Sequence, residues 1–389
     1  MTTHELVYLD HPSTSWPKSQ RVGPAMAEAL ACAGSPARAA HAGARQAERL
    51  LRTARRTVAE YFGVRDARNL IFVPGATYGL NFVLKGLVRA GDRVAVFCGE
   101  HNAVTRPLGE MAHRAEVELR WIGADPEGFI DFDDAQRALV EAPTQLLVCQ
   151  HASNVTGAIQ PLAELSKLAH EHGALFIVDG AQVAGHLPLD LENLGADAWV
   201  CSGHKGLRGP AGSGLVWLAP DVSVAPLVTG GTGSGEKFID ASGPERPGDY
   251  EAGTVALPAY CGLGAAVSEL SEQDQDSAEV EYQLIERLIH GLEALEVASL
   301  HLLGPRDVCK RIPLISCFDD HIEAERLAFE LDRRFNIATR AGYHCAPALS
   351  EALGLPASGT LRFGIGPHNT IEEIDYAVAS LGSILHSEA

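Results

Sequence analysis

Short apolar runs bounded by turn residues recur through the first two thirds of the chain: Leu70 to Val73, Arg93 to Phe97, Leu146 to Cys149, Leu175 to Val178, Ala198 to Cys201 and Gly214 to Leu218. Between several of them lie helical patterns, such as Tyr78 to Leu87, where Leu80, Val83, Leu84 and Leu87 share one side. Strands alternating with helices predict a mainly parallel sheet covered on both faces. Ligands gather at the carboxyl ends of such strands, so the residues just after each run are the first site candidates.

A polar stretch, Ser271 to Glu281, then precedes a long amphipathic repeat of Val280, Leu284, Leu288, Leu292 and Leu295. It reads as the start of a second domain, which continues through strand-like runs (Ile312 to Phe318, Thr360 to Ile365) and helices (Glu323 to Arg334, Ile371 to Ile384). The expected division is an N-terminal segment, residues 1–20, packing with the small domain; a large domain, 21–265; and a small C-terminal domain, 266–389.

Composition narrows the function. With 389 residues, 46% of them hydrophobic, the chain can bury more than one layer of secondary structure. A formal net charge of -19, with no clustered Lys and Arg, excludes a nucleic-acid footprint. The opening MTTHELVYLD has no basic stretch followed by an apolar run, and no apolar run is long enough for a membrane span, so a soluble cytoplasmic protein is expected. The eight cysteines are scattered without a CxxC pair or zinc-like spacing, and no metal site is expected.

Two strand ends carry chemistry. The run from Ala174 ends in Asp179, and the next, Ala198 to Cys201, runs through Ser202-Gly203-His204 into Lys205. Such a pair suits a pyridine ring bearing an aldehyde: the amine bonds the aldehyde, and the carboxylate keeps the ring nitrogen protonated so that the ring accepts electrons. A third run, Leu70 to Val73, ends in Pro74-Gly75-Ala76-Thr77 and opens a helix, whose free N–H groups with the Thr77 hydroxyl form an anion site suited to a phosphate.

Several motifs then stand in order along nearly the whole chain. They are Tyr8-Leu9-Asp10-His11-Pro12-Ser13-Thr14-Ser15-Trp16-Pro17-Lys18, Glu100-His101-Asn102, His151 to Gly157, Val178 to Gln182, Ser202 to Lys205, Glu251 to Thr254, and Arg340-Ala341-Gly342-Tyr343-His344-Cys345-Ala346-Pro347. With them the chain resembles the class V aminotransferase-like enzymes of fold type I, and among these the cysteine desulfurase family. The resemblance implies an α/β large domain with a mainly parallel seven-stranded sheet, a smaller α+β C-terminal domain, and pyridoxal 5'-phosphate as cofactor. It implies Lys205 as the attachment lysine, Asp179 on the pyridine nitrogen, Gln182 on the ring hydroxyl, and His101 over the ring face, where it moves protons. Ala76, Thr77, Ser202 and His204 fall to the phosphate, and Thr254 to the phosphate of a partner subunit, hence a homodimer. Asn154 and Arg362 fall to the substrate carboxylate, with Arg340 beside the cysteine loop and His11 on the rim of the substrate pocket.

Cys345 decides the reaction that this resemblance implies. Its thiolate takes the sulfur of L-cysteine, alanine leaves, and a persulfide remains for an acceptor protein. Arg340 and His344 are the neighbours expected to favour the thiolate. The competing enzyme reading is a C–S lyase that eliminates sulfur from cystine, a cysteine conjugate or selenocysteine on the same Lys205, without a cysteine nucleophile. A Ser/Lys hydrolase built on Ser202 and Lys205 lacks its companion motifs. The glycine-rich run Gly230 to Gly235 lacks the Lys-Ser/Thr of a nucleotide loop and reads as a site loop. Tyr78, Tyr343 and His11-Pro12-Ser13 depart from the family's usual residues, and these departures bear on substrate choice.

Overall fold

The computed structural model describes residues 5–36, 39–114, 116–231, 244–273 and 276–388. Strand β1 (Val7–Tyr8) leads into α1 (Val22–Leu30) and α2 (Ala42–Tyr61). Strands and helices then alternate: β2 (Leu70–Val73), α3 (Ala76–Leu87), β3 (Arg93–Phe97), α4 (Asn102–His113), β4 (Glu118–Ile122), α5 (Phe132–Glu141), β5 (Leu146–Gln150), α6 (Leu162–Glu171), β6 (Leu175–Asp179), β7 (Ala198–Ser202) and β8 (Gly214–Leu218). After α7 (Leu257–Glu272) and α8 (Asp276–Glu293) come β9 (Leu300–Leu302), β10 (Leu314–Asp319), α9 (Ala324–Phe335), β11 (Ile337–Ala338), β12 (Arg340–Gly342), α10 (Pro347–Ala352), β13 (Thr360–Gly364) and α11 (Ile371–Glu388).

The large sheet has seven strands in the order β2-β8-β7-β6-β5-β3-β4. All its pairings are parallel except those of β8, which runs against both neighbours. Two successive reversals leave β2 pointing the same way as β7, so the carboxyl ends of β2, β5, β6 and β7 share one edge. The strands are apolar at almost every position because they are buried on both faces. Phe97, Leu147, Phe176 and Trp199 enter one core, and Val96, Val148, Ile177 and Val200 enter the other. Burying side chains of this size contributes about 1.5–3 kcal/mol each.

The expected strands are all present, and in the large sheet β4 is the strand that the apolar pattern does not reveal. It lies at the sheet edge beside β3 with mostly accessible side chains, so Glu118-Leu119-Arg120-Trp121 shows no apolar run. A four-stranded antiparallel sheet, β12-β13-β10-β9, forms a third core with α8, α9 and α11. Strand β1 pairs in parallel with β11, and Val7 and Leu9 join that core. Leu284, Leu288 and Leu292 of α8 are buried there as their spacing predicts, whereas Val280 is exposed. The expected boundary after residue 265 falls inside α7, which packs along α1 and α2. Of the glycine-rich run, positions 232–235 lie outside the described residues. No described helix is long and apolar enough to cross a membrane.

Candidate active site

The carboxylate arrives on β6. Gly180 follows it because a Cβ there would sit 2.0 Å from the Trp199 ring, so only glycine lets the chain turn so close to β7. Asp179 is buried, and its Oδ1 accepts the Ala181 N–H at 2.9 Å. Burial raises its pKa, opposed by that N–H and by the nearby charge of Lys205. Lys205 projects from the turn after β7. Burial lowers its pKa to about 8, with Asp179 pulling the other way and Arg362 and Arg340 adding to the fall.

The anion cradle forms between β2 and β7. Helix α3 starts at Ala76 after Gly75, which has no side chain to cap it, and the Ala76 N–H instead donates to Ser202 Oγ at 3.1 Å. Gly214 lets β8 close against this turn, since a Cβ there would lie 2.7 Å from the Gly75 Cα. His101 caps α4: its Nδ1 accepts the Ala103 N–H at 2.9 Å. Burial, then the charges of Lys205, Arg340, Arg106 and Arg362, lower its pKa to about 4. The ring is therefore neutral near pH 7 and carries its proton on Nε2.

These groups surround one cavity of about 210 Å³. Ala76, Thr77, His101, Asn154, Asp179, Gln182, Ser202, His204, Lys205, Arg340 and Arg362 all line it. Thr254 is exposed and lies outside this lining. His11 is displaced from its expected place on the substrate pocket. The Asp10 to Ser13 turn sends Ser13 to the arginines and His11 the opposite way, into a smaller cavity with Gly185, His186 and Arg208. There it is packed edge-on against Tyr8 and so close to Gly366 that a Cβ on that glycine would meet its ring at 2.2 Å. Pro12 and Ser13 line the main cavity in its stead.

The other wall comes from the small domain. The Asn154 loop is stitched to it: Ile312 N–H donates to the Gly157 carbonyl at 3.0 Å, and Ser316 Oγ to the Val155 carbonyl at 2.5 Å. Arg362, in the middle of β13, is buried, and burial lowers its pKa to about 10, which leaves it charged. Its Nη1 donates to the Asn154 carbonyl, and its Nη2 to Asp10 Oδ1 and Ser13 Oγ, all at 3.0 Å. Its Nε has no partner among the described residues.

Cys345 sits in a four-residue link between β12 and α10, where His344 and Cys345 have φ of 49° and 62°. Two successive non-glycine residues in the left-handed region are strained, and the surroundings hold them there. The Asn102 N–H donates to the Cys345 carbonyl at 2.8 Å, and Asn154 Nδ2 to the His344 carbonyl at 2.5 Å. Cys345 is half-buried and lies outside the cavity lining, but its neighbour His344 and its partner Arg340 both line the cavity, and Arg340 Nη2 donates to its Sγ at 3.5 Å. The cation expected from His344 is absent. That ring is buried with Nε2 against Thr360, and burial with the charges of Arg362 and Arg340 drives its pKa down to about 2.

The cavity residues fit pyridoxal phosphate. An amine and a buried carboxylate face one space, an uncapped helix start lies at one end, and a neutral imidazole lies beside them. Buried polar atoms of the lining that lack partners among the described residues, Asn154 Oδ1, Gln150 Nε2 and Arg362 Nε, mark where a polar ligand would be held. Gln182 Nε2 donates to the Pro12 carbonyl at 3.2 Å.

The family model named Aminotransferase class-V matches residues 7–377. The chain belongs to that family. Its sequence is 36% identical over 382 residues to a probable cysteine desulfurase of Pseudomonas aeruginosa, covering 95% of this chain and 91% of the relative. It is 34% identical over 356 residues to a cysteine desulfurase of Escherichia coli O157:H7, covering 89% and 85%. The solved apo structure of the cysteine desulfurase from Thermococcus onnurineus NA1 superposes with a TM-score of 0.89 at 29% identity, over 98% of this chain and 95% of that one. The class-V chain thus has the fold of the cysteine desulfurases, as its motifs imply.

Sequence reasoning missed Gln150, and it named Ser13 only as a departure within a motif, without a role. Gln150 is the residue directly after the run Leu146 to Cys149, where the strand-end rule points. Ser13 lies inside the N-terminal motif, and nothing short of the folded turn tells which of its residues faces the arginines.

Proposed function

We propose that the protein is a pyridoxal-phosphate-dependent cysteine desulfurase, which converts L-cysteine to L-alanine and leaves a persulfide on Cys345 for an acceptor protein. One observation carries this reading above all: a cysteine held in a pinned, strained link, with its sulfur on Arg340, an arginine that lines the Lys205 and Asp179 cavity. An elimination needs no thiol there.

The cofactor, when bound, supplies the electron sink that lets the substrate's C–S bond break. Lys205 is the amine that holds its aldehyde, and its lowered pKa near 8 gives a useful fraction of free amine at neutral pH. Asp179 holds the ring nitrogen. The start of α3, Thr77, Ser202 and His204 hold the phosphate. Arg362 and Asn154 orient the substrate carboxylate, with the Arg362 Nε–H free to donate. His101 holds a proton at Nε2 and would exchange it with a substrate bound in the cavity it lines. The Cys345 thiolate, beside Arg340, attacks the substrate sulfur. The new S–S bond forms as the C–S bond breaks, the carbon keeps the bonding pair and takes a proton, and the transfer is redox-neutral overall.

The homodimer and the cytoplasmic setting belong to the same proposal. Thr254, exposed and away from the cavity of its own chain, supports a role across a dimer interface. Product analysis of the purified protein with L-cysteine tests the reading. Alanine in step with Cys345 persulfide is expected; pyruvate with ammonia would assign elimination instead.

A further inference from the structure

The segment after β1 leaves the small domain and converges on one atom of the large domain. The carbonyl oxygen of His204, in the peptide just before Lys205, receives the Ser15 N–H at 3.1 Å, Lys18 Nζ at 2.6 Å and Ser15 Oγ at 3.2 Å. Lys18 Nζ also reaches Thr14 Oγ1 at 3.0 Å and Ser15 Oγ at 3.1 Å, which accounts for its three protons. No carboxylate pairs with Lys18 among the described residues, and burial lowers its pKa to about 8. A half-buried ammonium is therefore committed to a backbone carbonyl.

Thr14 also holds the His204 ring. Its Oγ1 donates to the His204 carbonyl at 3.1 Å and lies 3.0 Å from His204 Nδ1. Burial, with Lys205 and Lys18 nearby, keeps the ring neutral. One hydroxyl thus touches both the backbone and the ring of a residue that lines the cavity.

We infer that Thr14, Ser15 and Lys18 form a positioning clamp: they fix the peptide from which Lys205 projects and hold the His204 ring at the cavity where the cofactor phosphate would sit. The inference rests on the reading of Lys205 as the attachment lysine, and none of the three residues is catalytic. It assigns a task to the part of the N-terminal motif that no substrate or cofactor contact explains.

The test uses full-length protein stripped of cofactor, to which pyridoxal phosphate is added while the visible absorption band of the Lys205 adduct is followed. Lys18→Met is expected to form the band about tenfold more slowly, with the thermal midpoint of the stripped protein unchanged, and Lys18→Arg to restore most of the rate. Thr14→Val, which deletes one hydroxyl and carries the test should Lys18→Met fail to fold, is expected to weaken pyridoxal phosphate about tenfold and pyridoxal, which lacks the phosphate, by less than about twofold. Wild-type rates in Lys18→Met together with an unchanged preference for the phosphate in Thr14→Val would overturn the clamp alone. A wild-type protein that forms no band would overturn the attachment reading and the clamp with it.

Discussion

The two walls of the cavity are built by different means. Lys205, Asp179 and His101 sit where regular elements end, and buried strands and a helix cap set their positions. Cys345 sits in four residues of irregular chain, in backbone conformations that L-residues avoid, and owes its place to hydrogen bonds from Asn102, Asn154 and Arg340. The first wall is a property of the sheet and survives local change. The second is assembled from distant parts of the chain, so single contacts decide it. Reactions that need only the first wall are thus the chemistry a damaged enzyme would fall back on.

Removing the thiol separates the walls most sharply. Cys345→Ala is expected to abolish alanine and persulfide formation while the visible cofactor band stays, as absorbance and product assays will show. If alanine formation persists at the wild-type rate, the second wall is not part of the reaction. The first wall is broken from within by His101→Ala, for which a loss of about 10²- to 10⁴-fold in turnover is expected, the usual contribution of a placed acid or base. Single-turnover kinetics would place that loss before sulfur transfer. A smaller effect is expected from Arg340→Met, which removes the cation from the sulfur: alkylation of Cys345 by iodoacetamide at pH 7 should slow by about three- to tenfold.

What was legible in the sequence follows the same division. Asp179 announces itself because a charged residue ending a buried strand breaks an apolar run, Lys205 follows in the turn after the next strand, and the six runs found are strands of the sheet. Cys345 gains meaning only through its motif, since one cysteine among eight carries no periodic signal. His11 was assigned to the pocket on its place in a motif, but the turn through Asp10 and Ser13 sends it into the smaller cavity. His344 was expected to be a cation, and its burial against Thr360 makes it neutral. Burial and turn geometry are tertiary facts, and the one-dimensional pattern does not hold them. Edge strand β4 escaped for the related reason that an accessible strand has no apolar run to read.

The smallest expected effect concerns acid. Burial lowers the pKa of His151 to about 4, and His101 and His204 also stand near 4. In the unfolded chain each binds a proton as pH falls below about 6.5, while the folded protein takes it up only near 4. Stability is therefore present above pH 6.5 and lost progressively between 6.5 and 4. Thermal midpoints measured across that range should fall, and His151→Asn, which lies outside the cavity lining, should remove about one proton from the linked uptake.

The central claim is that the second wall takes the sulfur. A single turnover with sulfur-labelled L-cysteine, quenched and digested, measures it directly. Label on the Cys345 peptide in a one-to-one ratio with alanine is the expected result. Product released with the label in solution and Cys345 unmodified would contradict it.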